Sequence, residues 1–147
     1  MFEGVSHMKD FVLLDRKPTA AELIELRKSV GWDVLEEEAH KRGLKKSLFG
    51  VCAVVKSQIV GTARVVGDGI TCFYVQDVIV RPEYQKSGVG KCIMNRIMGF
   101  IGENACKGAV IGLMSAKGKE VFYEKFGFWT RPNENYGCGM IQIWNKE

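Results

Sequence analysis

The sequence predicts an α/β protein: a mixed, mostly antiparallel central sheet of about six to seven strands flanked by about four helices. Three observations carry this. Val/Ile-rich runs between residues 49 and 80 are separated only by short turns, which makes an antiparallel meander. Apolar residues at helical spacing follow directly, at Ile93, Met94, Ile97, Met98 and Ile101. A strand-helix-strand unit, ending in the run Ala109 to Met114, then requires a crossover, and such crossovers make parallel pairs.

The elements follow in chain order. Phe11 to Leu14 is a short apolar run that reads as a strand. Thr19-Ala20-Ala21-Glu22 is a capping box, and Leu23, Leu26, Arg27 and Val30 continue it as a helix ending near Gly31. Asp33-Val34-Leu35-Glu36 offers a second helix start of the same kind, with Gly43 as its stop. Phe49 to Lys56 and Ile59 to Val66 form a hairpin around Ser57-Gln58. Gly67-Asp68-Gly69 turns the chain into a third strand, Ile70 to Val80, which Pro82 ends because it lacks an N–H. Gly118 to Phe126 reads as a last helix, and Phe128 to Arg131 with Met140 to Trp144 as a final strand pair.

At 147 residues and 46% hydrophobic content, the chain suits one domain with one core over residues 1–147, and residues 1–8 read as a leader outside it. No linker or internal repeat interrupts it. The net charge of +4 is spread along the sequence with no dense basic stripe, which argues against a nucleic-acid surface and for a small anionic ligand. Five cysteines, odd in number and without CxxC or Cys/His spacing, read as free thiols of a cytoplasmic protein and give no metal site. No apolar run reaches the length of a membrane span, and the first residues lack the apolar core of a signal peptide.

Chemistry concentrates between Asp77 and Lys91, where a strand gives way to a helix. Gly88 and Gly90 let the backbone approach a ligand, and the helix start offers unpaired N–H groups and the positive end of its dipole. That combination makes a pyrophosphate site, with Lys86 and Lys91 adding attraction at longer range. Cys92 follows Gly90-Lys91 where a nucleoside-triphosphate loop requires Ser or Thr, so that class is excluded.

These residues resemble the GNAT superfamily of acetyl-CoA-dependent N-acetyltransferases. Val80-Arg81-Pro82 followed by Gln85-Lys86-Ser87-Gly88-Val89-Gly90 is similar to the family's signature Gln/Arg-x-x-Gly-x-Gly/Ala after a strand ending in Val-x-Pro. Phe122-Tyr123-Glu124-Lys125-Phe126-Gly127-Phe128 matches its second signature at the usual separation, and the order of elements agrees over nearly the whole chain. The resemblance implies a GNAT fold and transfer of acetyl from acetyl-CoA to a primary amine by direct attack in a ternary complex.

It further implies that Val78, Ile79 and Val80 pair with the pantetheine arm, that Gln85, Lys86, Ser87, Gly88, Val89, Gly90 and Lys91 hold the pyrophosphate, and that Tyr123 protonates the departing thiolate. Tyr123 also reads as a core aromatic. Asp77, the carboxylate of the strand before the loop, is a candidate general base or a structural carboxylate bonded to its neighbours. Tyr74 and Gln76 stand where the arylalkylamine branch has histidines, so that branch's base is absent, and His7 and His40 read as surface residues. The acceptor region implied by the family contains Arg27, Trp32, Phe49, Tyr136 and Met140, although Trp32 reads more readily as a plug between the first two helices.

Covalent transfer through Cys72 or Cys138 is the weaker chemical route. The acceptor is a small-molecule amine (a polyamine, an arylalkylamine or an amino sugar) or a protein lysine or N-terminus. A non-catalytic acyl-CoA sensor and a partner-binding domain are the rivals from other classes, and homodimers are common in the family.

Overall fold

The computed structural model describes residues 10–145; the expected leader, residues 1–8, lies outside them, as does His7. The chain divides into two compact units, one up to Leu113 and one from Met114 onward.

The first unit holds strand β1 (Val12–Leu14), helices α1 (Ala20–Ser29) and α2 (Glu37–Lys45), and strands β2 (Phe49–Val55), β3 (Gln58–Gly67) and β4 (Cys72–Val80). A 3₁₀ turn (Pro82–Tyr84), helix α3 (Val89–Asn104) and strand β5 (Val110–Gly112) complete it. The five strands lie in chain order, antiparallel except for the parallel pair β4–β5. The predicted α/β class and mixed, mostly antiparallel sheet are therefore present.

Helix α1 starts on the predicted capping box: the Glu22 N–H donates to Thr19 Oγ1 at 3.1 Å, and Glu22 Oε1 accepts from the Thr19 N–H at 2.9 Å. The second predicted box does not form. Helix α2 begins at Glu37 without a side-chain cap, and Gly43 lies inside it rather than at its end. β4 begins at Cys72 rather than Ile70 because the Asp68 carboxylate accepts from the N–H groups of Ile70, Thr71 and Cys72, which extends the turn.

Apolar side chains cover both faces of the sheet. Leu23 and Leu26 of α1 and Leu44 of α2 pack with Cys52, Ile59 and Ile79 on one face. On the other stand Ile93, Met94, Ile97 and Ile101 of α3, all at most 1% exposed. Gly61 belongs to that second face: a Cβ there would stand 2.9 Å from Ile93 Cδ1, so β3 and α3 approach as they do only because this residue is glycine.

Two irregularities bend the sheet, one of them at the predicted site. Gln76 pairs with Arg64 and Ile79 with Thr62, so two residues of β4, Asp77 and Val78, stand opposite Ala63 alone. This is a β-bulge, and Asp77 takes φ +56° within it. Cross-strand partners share a face, and Val65 and Thr62 lie on opposite faces of β3. The bulge therefore moves β4's buried residues from the α3 face at Val75 to the α1 face at Ile79.

The second unit contains helix α4 (Glu120–Glu124), shorter than the predicted 118–126. The predicted strands Phe128 to Arg131 and Met140 to Trp144 do not form: among the described residues the sheet has five strands rather than six or seven. Local bonds replace a ladder there. Asn133 Oδ1 accepts from the N–H groups of Asn135 and Tyr136, and Arg131 Nε donates to the Gly137 carbonyl at 2.7 Å. Met140, Ile141, Ile143 and Trp144 are exposed, and among the described residues no strand pairs with this apolar run.

Candidate active site

The loop between β4 and α3 is built to present backbone N–H groups. Gly88 is the N-cap residue of α3 at φ +92°, and no side chain caps the helix. The first N–H groups of a helix have no intrahelical acceptor, and the dipole adds partial positive charge there. No atom lies within 4 Å of the point where a Gly88 Cβ would stand, so that side of the loop is open to a ligand. Gln85 Nε2 donates to the Val80 carbonyl at 2.9 Å and Ser87 Oγ to the Tyr84 carbonyl, which tie the loop to the strand before it. Ser87 and Val89 also wall a cleft of about 560 Å³ with Tyr84 and Lys56, beside the first turn of α3.

β4 supplies an extended edge next to this loop. Its pairing with β5 covers Cys72, Phe73 and Tyr74 and stops there, whereas its pairing with β3 continues to Val80. Val78, Ile79 and Val80 are thus held from the β3 side and have no β5 partner, which is the geometry into which an extended ligand adds as a strand. The residues present fit an acyl-CoA: an uncapped helix end and an open glycine for the pyrophosphate, and a free strand edge for the amide-bearing arm.

Asp77 lies at the bulge, its side chain 2% exposed. Arg27 Nη1 donates to its Oδ1 at 2.5 Å and Arg64 Nε to its Oδ2 at 2.8 Å. Arg27 also donates to the Asp33 carbonyl at 2.7 Å and lies over the Trp32 ring, and Arg64 donates to Ser47 Oγ at 3.0 Å. Of the two readings open to Asp77, the geometry favours the structural one, because both oxygens are engaged by cations.

Trp32 packs against the core cluster beneath α1 with the Arg27 guanidinium on its ring. His40, expected at the surface, is buried; its Nε2 accepts from the Leu35 N–H at 3.0 Å. Burial holds its pKa below the ordinary histidine value, and Arg27 and Arg64 add to this while Asp77 opposes it.

Arg27 joins Trp32 to Asp77, but Phe49, named for the same acceptor region, does not join them. It pairs with Val65 and stacks on Phe100 of α3, with centroids 4.4 Å apart, on the opposite face of the sheet. In the second unit, Tyr136 lies against Trp129 and under the Arg131 guanidinium, and Met140 is 88% exposed. Tyr123 is buried with edge contacts to Phe122 and Phe128, and burial pushes its phenol up to about 12.

Reading the sequence missed Arg64, Ser47 and Arg81. Arg64 carried a signal, a single charge between Ala63 and Val65 in an apolar strand. Arg81 is buried, its Nε donating to the Ile59 carbonyl at 2.7 Å and its Nη2 to Glu25 of α1. Of the thiols, Cys52 is buried, and desolvation raises it to about 11. Cys72, Cys106 and Cys138 are exposed. Among the described residues no helix is long and apolar enough to cross a membrane, and no three His, Cys, Asp or Glu side chains group as metal ligands.

A bulged strand whose pairing with β5 stops at Tyr74, leading through a glycine into an uncapped helix, is the local architecture of this α/β domain. The sequence profile of the acetyltransferase (GNAT) domain matches residues 45–130, and the chain belongs to this family. It is 29% identical over 118 residues to a ycf52-like N-acetyltransferase of Prochlorococcus marinus, covering 78% of this chain and 64% of that protein, so it spans less than two thirds of that relative's length. A Staphylococcus aureus structure described as a probable acetyltransferase superposes with a TM-score of 0.84 at 30% identity, covering 91% of this chain and 99% of that one. A GNAT-family acetyltransferase of Streptococcus pneumoniae superposes with a TM-score of 0.74 at 29% identity, covering 92% and 99%.

Proposed function

We propose that the protein transfers the acetyl group of acetyl-CoA to the primary amine of a small molecule, by direct attack in a ternary complex. The observation that carries this is the continuity of the open β4 edge at Val78, Ile79 and Val80 with the Gly88-led N-terminus of α3, in a chain of the GNAT acetyltransferase family. The strand edge aligns the pantetheine arm, and the α3 amides with Lys86 and Lys91 neutralise the pyrophosphate.

The neutral amine attacks the thioester carbon; the new C–N bond forms, the C–S bond breaks, and the nitrogen's proton passes to solvent. Backbone N–H groups near the splayed end of β4 stabilise the carbonyl oxygen as it gains charge. The family's second signature, Phe122 to Phe128, gives Tyr123 the role of donor to the departing thiolate. At about 12 its phenol stays protonated throughout the physiological range, and because a thiol ionises near 8.5 it acts as a hydrogen-bond donor to sulfur more readily than as a full proton source. Five unpaired thiols suit a reducing compartment such as the cytoplasm.

Calorimetry of acetyl-CoA against the purified protein, followed by thiol release with a panel of amines, tests the proposal. Micromolar binding with amine-dependent thiol release supports it and identifies the acceptor class. Binding without release on any amine indicates an acyl-CoA sensor, and no binding refutes the acetyl-CoA reading.

A further inference from the structure

Among the described non-glycine residues with positive φ, only Asp77 is buried; Lys56, Ser57, Lys86 and Asn145 are all exposed. A residue with a Cβ enters this region at a cost, and inside a strand it persists only where the surroundings hold it. Here what holds it is ionic. Arg27 reaches Asp77 from α1 and Arg64 reaches it from β3, so each carboxylate oxygen has its own guanidinium.

The two arginines are fixed in turn. Arg27 is anchored on the Asp33 carbonyl in the connection between α1 and α2, and Arg64 on Ser47, whose Oγ donates to the Gly43 carbonyl in α2. α1, its connection to α2, the end of α2, β3 and β4 therefore converge on one carboxylate. The next residue of β4 after Asp77 is Val78, where the free edge assigned to the ligand begins. A bulge increases local twist and redirects the strand beyond it, and this one turns β4 away from regular alternation three residues after its pairing with β5 ends.

We propose that Asp77 is a positioning residue: clamped between Arg27 and Arg64, it holds the bulge that presents the Val78–Val80 backbone to acetyl-CoA, and so governs affinity for the acyl donor without touching it. The inference rests on the acetyl-CoA reading above. It differs from a general-base role in a measurable way. A base acts on the amine and leaves CoA affinity alone, whereas loss of the clamp misplaces the strand edge and weakens CoA whether or not an amine is present.

The test is calorimetry of CoA with wild type, Asp77→Asn, Asp77→Gly and Arg64→Gln, with circular dichroism to establish the fold and a pH profile of turnover. Asn keeps the shape but brings an N–H₂ group against a guanidinium. Gly adopts the φ freely but has no carboxylate. Each is expected to weaken CoA binding about tenfold or more, because a misplacement of about 1 Å is costly at a fitted site. Residual turnover in Asp77→Asn is expected to keep the acidic limb of the wild-type pH profile.

Unchanged CoA affinity in Asp77→Asn with turnover lost assigns the base role and overturns the proposal. Wild-type affinity in Asp77→Gly shows that backbone conformation alone suffices and overturns the clamp. Should these variants not fold, Arg64→Lys decides: it keeps the charge but lacks the fork that bonds Asp77 and Ser47 together, so weakened CoA binding supports the clamp and unchanged binding rejects it. A wild type that does not bind CoA refutes the acetyl-CoA reading itself; binding by wild type with unaltered affinity in the variants refutes only the clamp.

Discussion

Gly88→Ala separates the backbone cost of the loop from its function. Gly88 sits at φ +92° with no atom within 4 Å of a new Cβ, so the substitution meets no clash and its structural cost is conformational. An alanine in the left-handed region costs about 1–2 kcal/mol. For a chain of this length that lowers Tm by roughly 3–6 °C. Gly108 is the matched control: its φ is +86°, its Cβ position is equally open, and it lies in the turn after α3.

Gly108→Ala should therefore lose the same stability and keep wild-type affinity for CoA. Gly88→Ala places a methyl group where the phosphates approach the α3 amides and should weaken CoA binding at least tenfold, about 1.4 kcal/mol. Differential scanning calorimetry and CoA titration of both proteins make the comparison. Equal CoA affinity in the two variants would refute the assignment of the α3 N-terminus as the pyrophosphate site.

Leu23, fully buried between α1 and the sheet, should cost about 2–5 kcal/mol when changed to Ala, read as a lower urea midpoint with unchanged slope. Tyr123→Phe should reduce turnover by roughly 10²-fold and leave CoA affinity intact; a wild-type rate in this variant removes Tyr123 from the chemistry. Stability should fall as pH rises from about 9 to about 12, because Cys52 and Tyr123 ionise more readily unfolded than folded, by about 2–3 kcal/mol each. It should also fall as pH drops below about 6.5 through the folded pKa of His40, whose burial favours the neutral ring. In a chromogenic thiol assay Cys72, Cys106 and Cys138 should react at once and Cys52 only on unfolding; immediate reaction of Cys52 contradicts the packing around it.

The features legible in the sequence are those set by local chemistry. The capping box at Thr19 and Glu22 works over four residues and forms as read. The β2–β3–β4 meander follows from β-branched runs joined by short turns, and α3 from apolar spacing that one helix face determines. The strand-to-helix turn at Gly88 needs only a glycine, and it too forms where the sequence places it. Where the sequence misled, composition was read without knowledge of a neighbour. The apolar residues 140–144 suited a strand, yet a strand exists only if another backbone pairs with it.

Tertiary structure decided the surroundings of Asp77. Phe73, Val75, Asp77 and Ile79 alternate in sequence as though they shared one face, and the bulge divides them between two. Nothing near Asp77 in the chain announces that its partners are Arg27, fifty residues before it, and Arg64. The same packing buried His40 and set Phe49 on the face away from Arg27 and Trp32. Caps, turns and periodicity are short-range and readable from a single chain; ion pairs across the sheet, and the side of it a residue faces, depend on strand register, which only the folded arrangement of distant segments establishes.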